Sequence, residues 1–140
     1  MTMHKDAALV LFSAGVILLA AMLLGVWKWR AMAASPDGRA HRYIDVAHQA
    51  ALMYTFATAV IAGLVQFSAW PAAVNLGAAA LVVGLFAGAI GKYTWLGFKK
   101  NTVNQMRNAP KSTNRMMYVL ATGEIGGVAV LLAGFATAQL

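Results

Sequence analysis

The stretch AALVLFSAGVILLAAMLLGVWKW, residues 7–29, decides the fold. It carries no charge until Lys28. As a helix rising 1.5 Å per residue it is long enough to cross a hydrocarbon core of about 30 Å. Three more apolar runs of this kind follow, over residues 46–67, 72–98 and 116–140. Strands with open edges leave backbone N–H and C=O groups unsatisfied in lipid, so helix is the expected state of each run. Composition agrees, with 61% hydrophobic and 11% charged residues and a mean hydropathy of +0.67. A soluble chain of 140 residues exposes much surface for its volume and needs more charge than this. The expected fold is all-α, a single integral-membrane domain over residues 1–140 built as an antiparallel four-helix bundle.

The first run, with Lys5 before it, has the look of a signal peptide. It is longer than a typical h-region, and no small-residue cleavage site precedes Trp27 and Trp29, so a membrane anchor with interfacial tryptophans is expected. Ser35-Pro36-Asp37-Gly38 reads as a turn between the first two spans. Trp70-Pro71 marks a short hairpin, with Pro71 near the start of the third helix. The segment 101–114 is a polar loop containing Pro110, and Ser112, Thr113 or Asn114 is expected to cap the fourth helix. Gly77, Gly84, Gly88 and Gly91 share one face of the third span, and Gly123 and Gly127 form a GxxxG pattern in the fourth. At least one of these stripes is expected to be a packing face.

Eleven Lys and Arg stand against four Asp and Glu, a net charge of +7. Nine of the basic residues lie in two clusters: Lys28, Arg30, Arg39 and Arg42, then Lys99, Lys100, Arg107, Lys111 and Arg115. These clusters follow the first and third spans. The positive-inside rule places both in the cytoplasm, with both chain termini non-cytoplasmic, in what is expected to be a bacterial inner membrane. Anionic headgroups account for the charge, and no nucleic-acid partner is implied. The chain has no cysteine, which excludes disulfides, cysteine-held iron–sulfur clusters and covalent c-type haem.

Polar groups inside a span are costly and are therefore functional candidates. The segment HRYIDVAHQAALMY, residues 41–54, brings His41, Asp45 and His48 to one face if it is helical throughout. That face is open to three readings: a metal site of imidazole and carboxylate, a haem site with His48 as axial ligand, or an interfacial edge at which His41, Arg42 and Asp45 are solvated. Tyr54, Lys92, Tyr93, Tyr118 and Glu124 lie at similar depth toward the basic loops, so depth alone permits them to converge on one polar pocket. Lys92 also suits snorkelling to headgroups, Tyr93 suits an aromatic belt, and Glu124 suits an interhelical hydrogen bond.

Ala47-His48 opening the second helix, Leu52-Met53 after it, and Tyr93 late in the third helix resemble the styrene oxide isomerase and hydroxylaminobenzene mutase group of small membrane proteins. The resemblance implies a homo-oligomer that binds haem b non-covalently, with His48 on the iron. It implies Lewis-acid polarisation of an oxygen on a small lipophilic substrate, an aryl epoxide or aryl hydroxylamine. An epoxide would yield an aldehyde with no net redox change. Where the group carries an asparagine six residues after the histidine, this chain has Tyr54. Where the group has an early histidine-glycine, it has Ser13-Ala14-Gly15. Tyr54, Tyr93, Tyr118 and Glu124 are the candidate catalytic residues, the tyrosines as donors to a developing oxyanion. The alternatives are a non-catalytic haem-binding or assembly subunit and, more remotely, a proton or solute carrier using Glu124 and Lys92.

Overall fold

The computed structural model describes residues 2–140, which form four α-helices and no strand. The helices are α1 (Lys5–Ala33), α2 (Arg42–Gln66), α3 (Ala72–Lys99) and α4 (Lys111–Gln139). All four are long and apolar enough to cross a membrane. Each apolar run therefore became a helix, as expected, and three of the four helices begin or end well outside the run. The turns added to α2 and α4 are largely polar and the one added to α1 begins with Arg30; at a membrane surface such side chains stay hydrated while the backbone remains helical.

The helix ends follow local chemistry. Pro71 and Pro110 stand at the N-caps of α3 and α4 with φ of −63° in both. Proline has no N–H to lose there, and its ring holds φ near the value a helix start requires. Neither cap uses a side chain, so Ser112, Thr113 and Asn114 lie inside α4 rather than capping it. α2 starts earlier than its hydropathy indicates, with His41 as N-cap accepting a 3.3 Å hydrogen bond from the Tyr43 N–H through Nδ1. His41 thus lies outside the helix, and only Asp45 and His48 share a helical face. The 35–38 turn forms as read. The Ser35 hydroxyl donates to the Asp37 carboxylate, the Arg39 N–H does so at 3.1 Å, and Gly38 takes a φ of +68°.

Consecutive helices pack as antiparallel neighbours, α1 against α2 most extensively. α2 also touches α4 and α1 touches α3, while α1 and α4 do not meet among the described residues. The core is made of small and β-branched side chains. Ala7, Val10, Ile61, Val65, Val82 and Leu131 meet in one cluster, and Ile17, Ala21, Ala51 and Ile90 in another. Small side chains let backbones approach, and in lipid that close packing replaces the hydrophobic drive available in water.

The two glycine stripes behave differently. A Cβ at Gly127 would run into the Val82 side chain and lie 3.3 Å from the Ala78 carbonyl, and one at Gly123 would run into Leu85. The GxxxG pair is therefore a contact of α4 with α3, as the spacing suggests. Gly77, Gly84, Gly88 and Gly91 have no such neighbour within 4 Å, so the α3 stripe packs against nothing within the chain. α4 is held along its second half, where Gly127, Leu131 and Gly134 are buried. The Trp70 indole N–H donates to the Val130 carbonyl at 2.8 Å, and the Ala69 N–H to the Gly134 carbonyl at 3.0 Å. The first turns of α4 have no buried residue and stand away from the bundle at its basic end.

Candidate functional site

Two turns after the His41 cap, α2 presents Asp45 and His48 to α1. The Asp45 carboxylate pairs with the Lys28 ammonium. His48 is half-buried, with Nδ1 2.9 Å from the Ala21 carbonyl oxygen. A carbonyl can only accept, so Nδ1 carries the proton and donates. In the neutral ring this puts the lone pair on Nε2, the atom through which such an imidazole binds a metal. The ring reaches α1 because residue 25 is glycine: a Cβ there would lie 2.9 Å from His48 Cε1 and 3.3 Å from Nδ1. Among the described residues no three His, Cys, Asp or Glu side chains converge on a metal-ion site. The His41, Asp45 and His48 set is taken apart by these contacts, since each residue has a different partner.

Metal-bound histidines usually donate their second ring N–H to a carbonyl or carboxylate, which fixes tautomer and orientation. The His48–Ala21 hydrogen bond is that arrangement, so the donor chemistry at His48 fits a haem iron. His48 lines neither of the clefts described next, so no cleft residue is assigned to such a group.

The other candidates gather on a different side of α2. The Tyr54 ring stacks on Phe86 of α3, with centroids 4.1 Å apart and planes 13° from parallel. The Tyr93 ring stacks on Tyr43 at 6.2 Å. Tyr54 and Tyr93 line a cleft of about 210 Å³ together with Val46, Gln49, Ala50 and Met53. Six residues separate His48 from Tyr54, which on a helix is about 120° of rotation and about 9 Å along the axis. The structure thus brings Tyr54 and Tyr93 together and sets His48 on another face of α2, while Glu124 lines neither this cleft nor the next one. Tyr118 joins neither group; it is 77% exposed on the outer face of α4, beside Arg115 and Thr122.

A second cleft, of about 160 Å³, opens between α3 and the first turns of α4. Gly84, Gly88, Met116 and Leu120 line it, with Lys92, Tyr93, Gln105 and Thr113 toward its basic end. Gln105 is held there by its own N–H, which donates to the Tyr43 hydroxyl at 2.7 Å. The single salt bridge among the described residues is Lys28–Asp45, so Lys92 and Glu124 do not pair with each other.

Sequence reasoning passed over a buried polar pair near the Trp70 hairpin. Asp6 and Asn75 are 7% and 2% exposed. Asn75 Nδ2 donates to Asp6 Oδ2 at 3.3 Å and to the Trp70 carbonyl at 3.2 Å, tying α1, α3 and the hairpin together. Asn75 is the single Asn, Asp, Glu or Lys in the first half of α3, and that isolation was the available signal. Gly25 and Tyr43 had none, because their roles depend on which way α1 and α2 are rotated. Comparison with protein-family models, with curated proteins and with solved structures finds no match, so the resemblance drawn from Ala47-His48, Leu52-Met53 and Tyr93 stands on those residues alone.

Proposed function

We propose that this chain is a membrane-embedded, haem-dependent isomerase or mutase-like enzyme acting on a small lipophilic substrate. The observation that carries the proposal is the His48 Nδ1–H bond to the Ala21 carbonyl. It orients the ring against Gly25 and, in the neutral imidazole, leaves the lone pair on Nε2 as the atom that would serve as axial ligand. When bound, ferric haem b would supply a Lewis acid for an oxygen of an aryl epoxide or aryl hydroxylamine. Ala21 orients His48, and the apolar helices keep water from the reacting groups. Tyr54 and Tyr93 offer hydroxyl donors to an oxygen on which charge develops, with the Glu124 carboxyl of α4 as a further candidate acid.

Because His48 and the phenols lie on different faces of α2, a substrate that meets both does so between copies of the chain, in a homo-oligomer. The same separation favours a second reading, a non-catalytic haem-binding or assembly subunit in which the tyrosines only pack. In either reading the basic loops face the cytoplasm and both termini the other side of a bacterial inner membrane, on the distribution of Lys and Arg.

The test uses the full chain in mild detergent, with haem b added and the visible spectrum recorded. A Soret band that His48→Ala removes supports the ligand assignment; a wild-type protein that takes up no haem overturns it. The haem-loaded protein is then offered aryl epoxides and aryl hydroxylamines. Turnover that Tyr93→Phe lowers by about a hundredfold with the Soret band unchanged supports the enzyme. Bound haem with no turnover selects the subunit.

A further inference from the structure

We propose that the cleft between α3 and the first turns of α4 is a binding site for a small lipophilic carboxylate, with Lys92 holding the anion. The inference does not rest on haem at His48, which lies on another face of the bundle.

The cleft exists because α4 is held along only part of its length. Its glycines press on α3 at Gly123 and Gly127, where any side chain would strike Leu85 or Val82. Beyond that contact, toward Lys111, α4 has no buried residue. Opposite the gap, α3 offers Gly84 and Gly88, and neither has an atom within 4 Å of where a Cβ would stand. Two glycines facing open space weaken a helix by about 1 kcal/mol each relative to alanine, and no packing partner within the chain offsets that cost. What they do provide is width. With Met116 and Leu120 on the opposite wall, the floor of the cleft is apolar and suits a short alkyl or aryl group.

The polar end sets the sign of the ligand. Lys92 and Thr113 line that end, and Lys92 is not in the single salt bridge of the described residues. No Asp or Glu occurs between Asp45 and Glu124, while Lys99, Lys100, Arg107, Lys111 and Arg115 lie in the end of α3, the loop and the start of α4 that follow Lys92 in the chain. Glu124, the one acidic residue of α4, does not line the cleft. An ammonium inside a span without a counter-ion is costly, and an anionic ligand supplies the missing charge. Lys92 precedes Lys99 by seven residues, about 10 Å along the helix, so it lies below the lysines that meet headgroups. A carboxylate with a short apolar tail reaches that depth. A phospholipid phosphate, bound to its glycerol at the surface, is met by Lys99 and Lys100 first. Gln105, held by Tyr43, closes the cleft from the loop side.

The full chain in phosphatidylcholine nanodiscs is titrated with octanoate and with octanol by calorimetry, against empty nanodiscs. Saturable octanoate binding at least tenfold tighter than octanol is expected. Lys92→Gln should weaken octanoate at least tenfold and leave octanol unchanged, Gly88→Leu should weaken both, and Lys100→Gln should change octanoate less than threefold. Octanoate uptake no greater than into empty nanodiscs overturns the proposal, as does an equal loss in Lys92→Gln and Lys100→Gln, which would put the anion on the basic surface. If Lys92→Gln does not fold, carboxyl-labelled octanoate and nitrogen-labelled lysine in the wild-type chain decide by solid-state NMR. A through-space contact from the carboxyl to the Lys92 Nζ is expected, and its absence at saturating octanoate overturns the assignment.

Discussion

Substituting Gly25 by alanine is a test of the His48 geometry in which two effects of opposite sign compete. Alanine is favoured over glycine inside a helix by about 1 kcal/mol, so at an indifferent position Gly25→Ala stabilises. Here the new Cβ would lie 2.9 Å from His48 Cε1, closer than two carbons tolerate, and a tight 3.3 Å from Nδ1. The ring must move, and a ring displaced from Gly25 is expected to lose its 2.9 Å bond to the Ala21 carbonyl. A lost interhelical hydrogen bond in a membrane costs about 1 kcal/mol, and overpacking adds about 1–3 kcal/mol. The net expectation is a destabilisation of about 1–3 kcal/mol in the wild-type background. In a His48→Ala background the clash and the hydrogen bond are both absent, and the same substitution should stabilise by about 1 kcal/mol. The assay is a double-mutant cycle on unfolding in mixed micelles, followed by helical circular dichroism and tryptophan fluorescence. A coupling of about 2–4 kcal/mol is expected. A Gly25→Ala protein more stable than wild type, with no coupling to His48, would refute the placement of the ring between α1 and α2.

Three further outcomes follow from other contacts. Asn75→Ala removes the amide donor to Asp6 and to the Trp70 carbonyl and should cost about 1–3 kcal/mol. Asn75→Asp should cost more, since it faces one carboxylate with another, and the same micelle unfolding assay ranks the two. Tyr43→Phe deletes the hydroxyl that accepts from the Gln105 N–H; hydrogen exchange at Gln105 should accelerate about five- to tenfold, the equivalent of about 1 kcal/mol, with α2 and α3 unaffected. In the 35–38 turn, the Ser35 hydroxyl first, and the Arg39 N–H after it, hold the Asp37 carboxyl below the ordinary aspartate range. A carboxylate with a lowered folded pKa stabilises its turn above the ordinary value and loses that effect as the pH falls through the lowered one. Carboxyl NMR should therefore give a midpoint below that of a free aspartate, and Ser35→Ala should raise it.

The four spans were legible because lipid imposes a crude rule: enough consecutive apolar residues, and a helix to satisfy the backbone. Their ends were less so. His41, Pro110 and the polar first turn of α4 lie where water and headgroups accept helix and loop alike, so hydropathy sees no boundary there. Rotation was the larger gap. Helices apolar on nearly every side do not reveal which side packs, and rotation separates His48 from Tyr54 and Tyr93, turns Tyr118 outward and puts Gly84 and Gly88 on an open cleft. His48 was conspicuous as an imidazole in a span, but its partner is a backbone carbonyl, which no residue type announces. Asp6 and Asn75 were each visible in the sequence, and only their contact across 69 positions makes them a pair.

The central claim is that His48 presents Nε2 as a ligand while Nδ1 stays bonded to Ala21. Nitrogen NMR on histidine-labelled protein reads both atoms in one experiment, before and after addition of gallium protoporphyrin, a diamagnetic analogue of haem. The account predicts a protonated Nδ1 coupled to the Ala21 carbonyl throughout, and an unprotonated Nε2 whose resonance moves on addition of the porphyrin. A proton on Nε2, or an Nε2 resonance that saturating porphyrin leaves in place, would contradict it.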